Sequence, residues 1–146
     1  MEIKATQVKE LRDLTGIGMM ECKKALIDAK GDLEKAIDVL RSKSALQAEK
    51  KSERVAAEGI LVSTVTESYA TILEINTETD FAAKDSSFLS FAEKVKAYIT
   101  ENKVTDISSL EDSSLEEERK TLIQTIGENI QLRRIETIDF TSEIKK

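Results

Sequence analysis

Near residue 58 the apolar residues of this chain change their spacing from that of a helix to that of a strand, so no single secondary-structure type can hold the whole of it. Before that point three short helical stripes follow one another. The first, over 6–15, sets Val8, Leu11 and Leu14 at spacing three, with Gly16 placed to end it. The second, over 19–30, carries Cys22, Ala25, Leu26 and Ala29 at i, i+3, i+4 and i+7, and Gly31 stands where a C-terminal glycine belongs. Asp32 then caps a third helix striped by Leu33, Ala36, Ile37 and Leu40. None of these stripes can be buried singly, so they must face one another, and a three-helix bundle over residues 1–43 is predicted.

The segment 44–55 is polar, charged, free of Gly and Pro and rich in good helix formers. It reads as a linker between two modules, helical or not. Beyond it, 59–65 and 69–76 are rich in β-branched and aromatic residues, and Thr66, Glu67 and Ser68 between them predict a hairpin. Phe88, Phe91, Ala92, Val95 and Ile99 mark an amphipathic helix over 87–101. Ser114, Leu115, Glu116 and Glu117 form a capping-box pattern that opens another helix, apolar at Leu115, Leu122, Ile123 and Ile126 and ended by Gly127. Residues 129–138 read as a third strand whose alternation slips between Leu132 and Ile135, as a bulge would make it. The fold class expected is α+β. The helical bundle over 1–43 is followed by the linker over 44–55, and a core subdomain over 56–140 then carries a three-stranded antiparallel sheet with helices on one face. A tail covers 141–146.

Composition narrows the chemistry. Of 146 residues none is histidine and Cys22 is the single cysteine, which removes an internal disulfide, a zinc site and every Ser-His or Cys-His arrangement. Paired carboxylates remain available, but the acidic residues follow no distinguishing pattern. The chain is therefore not expected to be an enzyme, and no catalytic residue, cofactor or metal ligand is assigned. Gly16 and Gly18 do not make a phosphate loop, because the G-x-x-x-x-G-K-[ST] pattern is absent. No apolar run approaches the roughly 20 residues that span a bilayer. Met1, Glu2, Ile3 and Lys4 lack the layout of a secretion signal, so a cytoplasmic location is expected and no membrane partner. Residues 1–55 carry 12 Lys/Arg against 10 Asp/Glu, and residues 56–146 carry 10 against 18. So acidic a chain is a poor general binder of nucleic acid, and RNA contact is not expected outside the locally basic stretch 41–54.

Two places break the pattern. On a helical wheel Met20 falls about 160° from Cys22, opposite the apolar stripe, and Met19 sits on the edge of that stripe. Met20 either frays at the helix start and packs locally, or it contacts a partner, for which a flexible thioether is suited. Arg12 flanks the stripe of the first helix. The second place is the loop Thr77, Glu78, Thr79, Asp80, Phe81, between a strand and a helix. Either Asp80 caps a helical turn while Phe81 tucks beneath the loop, or ring and carboxylate project together as a wedge. The residues alone do not choose. Cys22, on the stripe of the second helix, reads as a buried small hydrophobe rather than a reactive thiol.

Three stretches resemble one family. Val8-Lys9-Glu10-Leu11-Arg12, followed by Thr15-Gly16-Ile17-Gly18-Met19-Met20-Glu21-Cys22-Lys23-Lys24-Ala25-Leu26, is similar to the N-terminal signature of the elongation factor Ts family. Thr79-Asp80-Phe81-Ala82-Ala83-Lys84-Asp85 is similar to its second signature. Ile126-Gly127-Glu128-Asn129-Ile130, with Arg133 and Arg134, matches the end of its first core subdomain. The motifs stand in the family's order and cover nearly the whole chain. Ile17, Thr77 and Ala82 depart mildly from the residues usual at those places, and typical members continue past the position of Lys146 into a second core subdomain.

The resemblance implies a ubiquitin-associated-like domain over 1–43, and a guanine-nucleotide exchange factor that promotes GDP release from elongation factor Tu. It implies that Arg12, Met19 and Met20 contact the GTPase domain, and that Asp80 and Phe81 intrude near its nucleotide-associated magnesium. Lys23 and Thr79, from the same two stretches, complete the expected partner-binding set. The alternative is a binding module that docks the GTPase, or RNA, without efficient exchange.

Overall fold

The computed structural model describes residues 2–111 and 113–140, so the tail expected over 141–146 lies outside the described residues. The described residues form seven helices and a three-stranded antiparallel sheet, an α+β fold. They fall into two compact units. The first comprises Met1–Glu53 with Lys120–Gly127, and the second Arg54–Arg119 with Glu128–Lys146.

In the first unit α1 (Ala5–Thr15), α2 (Met19–Asp28) and α3 (Leu33–Lys51) enclose one apolar cluster. Val8, Leu11, Ile17, Cys22, Ala25, Leu26, Ala29, Ala36 and Leu40 are buried in it, and Leu33 and Ile37 pack against it. The stripe of α2 is thus buried as its spacing predicts. The stripe of α1 is not: Leu14 is 61% exposed, and Ile17, in the connection to α2, takes a buried place instead. The reason is geometric, since a turn that reverses the chain after Thr15 brings Ile17 back over the core. Asp32 caps α3 by accepting from the Lys35 N–H at 3.2 Å. The helix then runs on through the first part of the stretch read as a linker, with Ser44 and Ala48 buried on it. The Ser44 hydroxyl bonds to Gln124 Oε1 in the returning segment of the same unit.

In the second unit β1 (Glu58–Val65) and β2 (Tyr69–Thr77) form the hairpin, closed by Thr66, whose hydroxyl accepts from the Tyr69 N–H at 3.1 Å. β3 (Gln131–Asp139) pairs antiparallel with the other side of β2, giving the order β1-β2-β3. Side chains alternate across the hairpin. Val62, Thr64, Thr71, Leu73 and Ile75 are buried, whereas Leu61 and Val65 are exposed. The helices α4 (Asp80–Ala83) and α5 (Ser86–Asn102) pack on the hairpin. Only glycine fits at position 59, where φ is +144° and a Cβ would stand 2.1 Å from the Ile75 carbonyl oxygen.

The slip anticipated in the third strand is a bulge. Glu74 pairs with Arg134 and Ile75 with Leu132, which leaves Arg133 as the extra residue. Arg133 Nη1 and Arg134 Nη2 then both reach the Glu74 carboxylate, at 3.2 and 3.3 Å. The Asn76 amide also donates to it, at 2.7 Å, and this bond foremost holds the Glu74 carboxyl below the usual carboxylate range. After α5 come α6 (Ser108–Glu111) and α7 (Ser114–Ile126), with Leu110, Leu115, Leu122 and Ile123 buried. The hydroxyl at the start of α7 belongs to Ser113, which accepts from the Leu115 N–H at 3.3 Å, one residue ahead of the Ser114 box expected there.

Candidate partner-binding surfaces

The corner between α1 and α2 presents the first set of candidates. Gly16 ends α1 in the left-handed region, φ 73°, and its N–H donates to the Arg12 carbonyl at 2.7 Å. The Ile17 N–H donates to Thr15 Oγ1 at 3.3 Å, and Ile17 enters the core. Its carbonyl accepts from Cys22 Sγ at 3.4 Å. Gly18, in extended conformation, then opens α2, and its carbonyl receives the Cys22 N–H at 3.0 Å. With Ile17 anchored inward between two glycines, the next two residues emerge on the outside. Met19 is 50% and Met20 72% exposed. Lys23 is exposed one turn further along α2, and Arg12 is exposed on α1, 4.0 Å from Asp13.

Three further apolar residues of this unit, Leu14, Ile27 and Leu46, are open to solvent, and sequence reasoning singled out none of them as exposed. Ile27, 53% exposed, lies seven residues after Met20, so Met20, Lys23 and Ile27 follow one helical face. That spacing was the available signal. Leu14 carried a misleading one, since it continues the α1 stripe.

The second set lies at the end of β2. Thr77 is fully buried, and its hydroxyl donates to the Thr79 carbonyl at 2.8 Å. Thr79, extended at φ −121° and ψ 159°, is the N-cap of α4, and its hydroxyl accepts from the Ala82 N–H at 3.3 Å. Thr79 rather than Asp80 therefore caps this turn. Its inner residues, Ala82 and Ala83, are buried, while Asp80 is exposed and Phe81 is 83% exposed. Phe81 does not tuck beneath the loop. Two alanines fill the space under the turn and leave the ring no place there. Asp85 then caps α5 through the N–H groups of Ser87 and Phe88, and Phe88 and Phe91 are buried on that helix.

The seven candidates thus form two sets, one in each unit, and both offer non-covalent chemistry: flexible thioethers beside cations, and an aromatic ring beside a carboxylate. Exposing a Phe ring forgoes roughly 1.5–3 kcal/mol of burial, which docking can recover. Among the described residues no group of three or more His, Cys, Asp or Glu is placed to hold a metal ion, and no helix is long and apolar enough to cross a membrane.

A family model described as elongation factor TS matches residues 78–145. Elongation factor Ts of Hahella chejuensis is 51% identical over 134 residues, 90% of this chain and 47% of that relative. The protein of the same name from Psychrobacter arcticus is 48% identical over 145 residues, 95% of this chain and 49% of its own. That of Saccharophagus degradans is 46% identical over 146 residues, 99% of this chain and 50% of its own. The chain spans about half the length of the curated relatives it matches.

Proposed function

This chain belongs to the elongation factor Ts family, and we propose that it acts in the cytoplasm as a guanine-nucleotide exchange factor for elongation factor Tu. The observation that carries the reading is Phe81, left 83% exposed at the outer side of a helical turn whose inner residues are buried. In the proposed mechanism this ring, with the carboxylate of Asp80, wedges into the partner near its magnesium and nucleotide.

An exchange factor must bind the nucleotide-free GTPase more tightly than the GDP form, and the coupling is reciprocal. Weakening GDP a thousandfold requires about 4 kcal/mol of differential binding. One phenylalanine ring supplies roughly 1.5–3 kcal/mol before ordering costs are subtracted. Phe81 is therefore insufficient alone, and the α2 surface with Met19, Met20 and Lys23, together with Arg12, serves as the anchor. Magnesium requires near-ideal octahedral oxygen ligation, so a small displacement of its surroundings loosens the nucleotide. Asp80 accepts hydrogen bonds from rearranged partner backbone.

The test is release of fluorescent GDP from elongation factor Tu. Phe81→Ala is expected to leave stability within about 0.5 kcal/mol, because the site is exposed, and to slow stimulated release at least tenfold, on the order of the lost burial. Unchanged release would overturn the wedge. A second reading is a binding module that docks the GTPase without efficient exchange. A pull-down that retains elongation factor Tu, with flat release kinetics, would favour that reading.

A further inference from the structure

Glu128 lies 49 residues from Thr79 in sequence, yet its carboxylate holds the loop that displays Phe81. Its Oε1 accepts from the Glu78 N–H at 3.0 Å and the Thr79 N–H at 2.9 Å, and its Oε2 accepts from the Thr79 hydroxyl at 2.6 Å. The arrangement is reciprocal. Glu78 Oε2 accepts from the Asn129 N–H at 2.8 Å and stands 3.6 Å from Arg54 Nη1. Asn129, itself buried, donates through its amide to the Arg54 carbonyl at 2.8 Å.

The ladder explains why a side chain is needed here. On the β3 side the last pair is Asn76 with Gln131, and on the β1 side it is Thr77 with Glu58. Glu78 and Thr79 therefore leave the sheet with N–H groups that no strand receives, and one carboxylate receives both. Charge-assisted bonds of this kind are about twice as strong as neutral ones. They fix the backbone at the N-cap of α4, and Phe81 follows two residues later.

We propose that Glu128 is the positioning residue of the Phe81 loop: it pre-orients the ring, so that docking does not have to order it. The inference rests on the reading of Phe81 as a partner contact. The burial of Ala82 and Ala83 and the Thr77–Thr79 bond tether the loop independently, so loss of Glu128 broadens the direction of Phe81 without unfolding the unit.

The experiment uses the full chain with elongation factor Tu·GDP. Backbone amide exchange is followed by NMR, and GDP release is measured for Glu128→Ala, Phe81→Ala, the double variant, and Met20→Ala with and without Glu128→Ala. Glu128→Ala is expected to cut protection of the Glu78 and Thr79 amides about tenfold while the Leu73 and Ile75 amides keep theirs. It is expected to slow stimulated release about tenfold in the otherwise unchanged chain and in Met20→Ala, but not further in Phe81→Ala. A residue that merely stabilised the fold would slow all three backgrounds equally, and that result overturns the proposal. So does unchanged protection at Glu78 and Thr79.

Glu128→Gln keeps the volume and one acceptor oxygen and should fall between the two. It carries the same test if Glu128→Ala also loses hairpin protection, and wild-type values from it in both measurements overturn the proposal. If Phe81→Ala alone leaves release unchanged, the exchange reading fails and takes this role with it. The amide protection then reports separately whether Glu128 holds the loop.

Discussion

Cys22 has no exposed surface, and its thiol donates to the Ile17 carbonyl. Burial pushes its pKa above the ordinary value of 9.0, against the opposing pulls of the Thr15 hydroxyl and the Arg12 charge. The folded chain thus holds this proton more tightly than the unfolded chain does. Its contribution to stability is complete below about pH 9 and declines as pH rises through the raised value. Two outcomes are expected. A disulfide reagent should label the native chain only as fast as the first unit opens, and the urea midpoint should fall between pH 8 and pH 10 by more in the native chain than in Cys22→Ala. Immediate stoichiometric labelling would refute the buried thiol. At this scale the exposure of Met20 was legible from its angle on the helix, because the angle depends only on spacing. The exposure of Phe81 was not legible. Whether a ring tucks or projects depends on what already fills the space beneath it, here Ala82 and Ala83.

The sheet contains one local imperfection. The Thr71 hydroxyl is buried on the inner face of β2, and among the described residues it has no hydrogen-bond partner. An unmet buried hydroxyl costs on the order of 1–3 kcal/mol. Thr71→Val keeps the shape and the β-branching, so it should stabilise the second unit by about 1 kcal/mol in urea denaturation. A destabilised variant would mean that the hydroxyl is satisfied in solution. The elements themselves were well marked. The hairpin, α5 and the bulge at Arg133 all followed from period and turn chemistry, because each is a short-range choice. The length of α3 was less visible: past Leu40 the buried positions are a serine, Ser44, and one small residue, Ala48, among charged neighbours. The single-turn helices α4 and α6 are too short to carry a period at all.

The first unit is not continuous in sequence, since Lys120–Gly127 belongs with Met1–Glu53. A fragment ending at Glu53 should therefore keep the cluster around Leu11, Cys22, Leu26 and Leu40. It should lose protection at the Ser44 and Ala48 amides by about tenfold relative to the full chain, because Gln124 no longer meets Ser44. Equal protection in fragment and chain would show that α3 supports itself. The order of the longer elements, the helical stripe of α2, the α+β class and the resemblance to the family were legible in the sequence alone, because helix and strand periods and motif residues are local properties of the chain. Like the exposure of Phe81, three further things were decided only in three dimensions: the assignment of 120–127 to the first unit, the exposure of Leu14 with Ile17 buried, and the meeting of Glu128 with Thr79. Each depends on which distant segment fills a given space or receives a given N–H, and spacing along a chain carries no record of that.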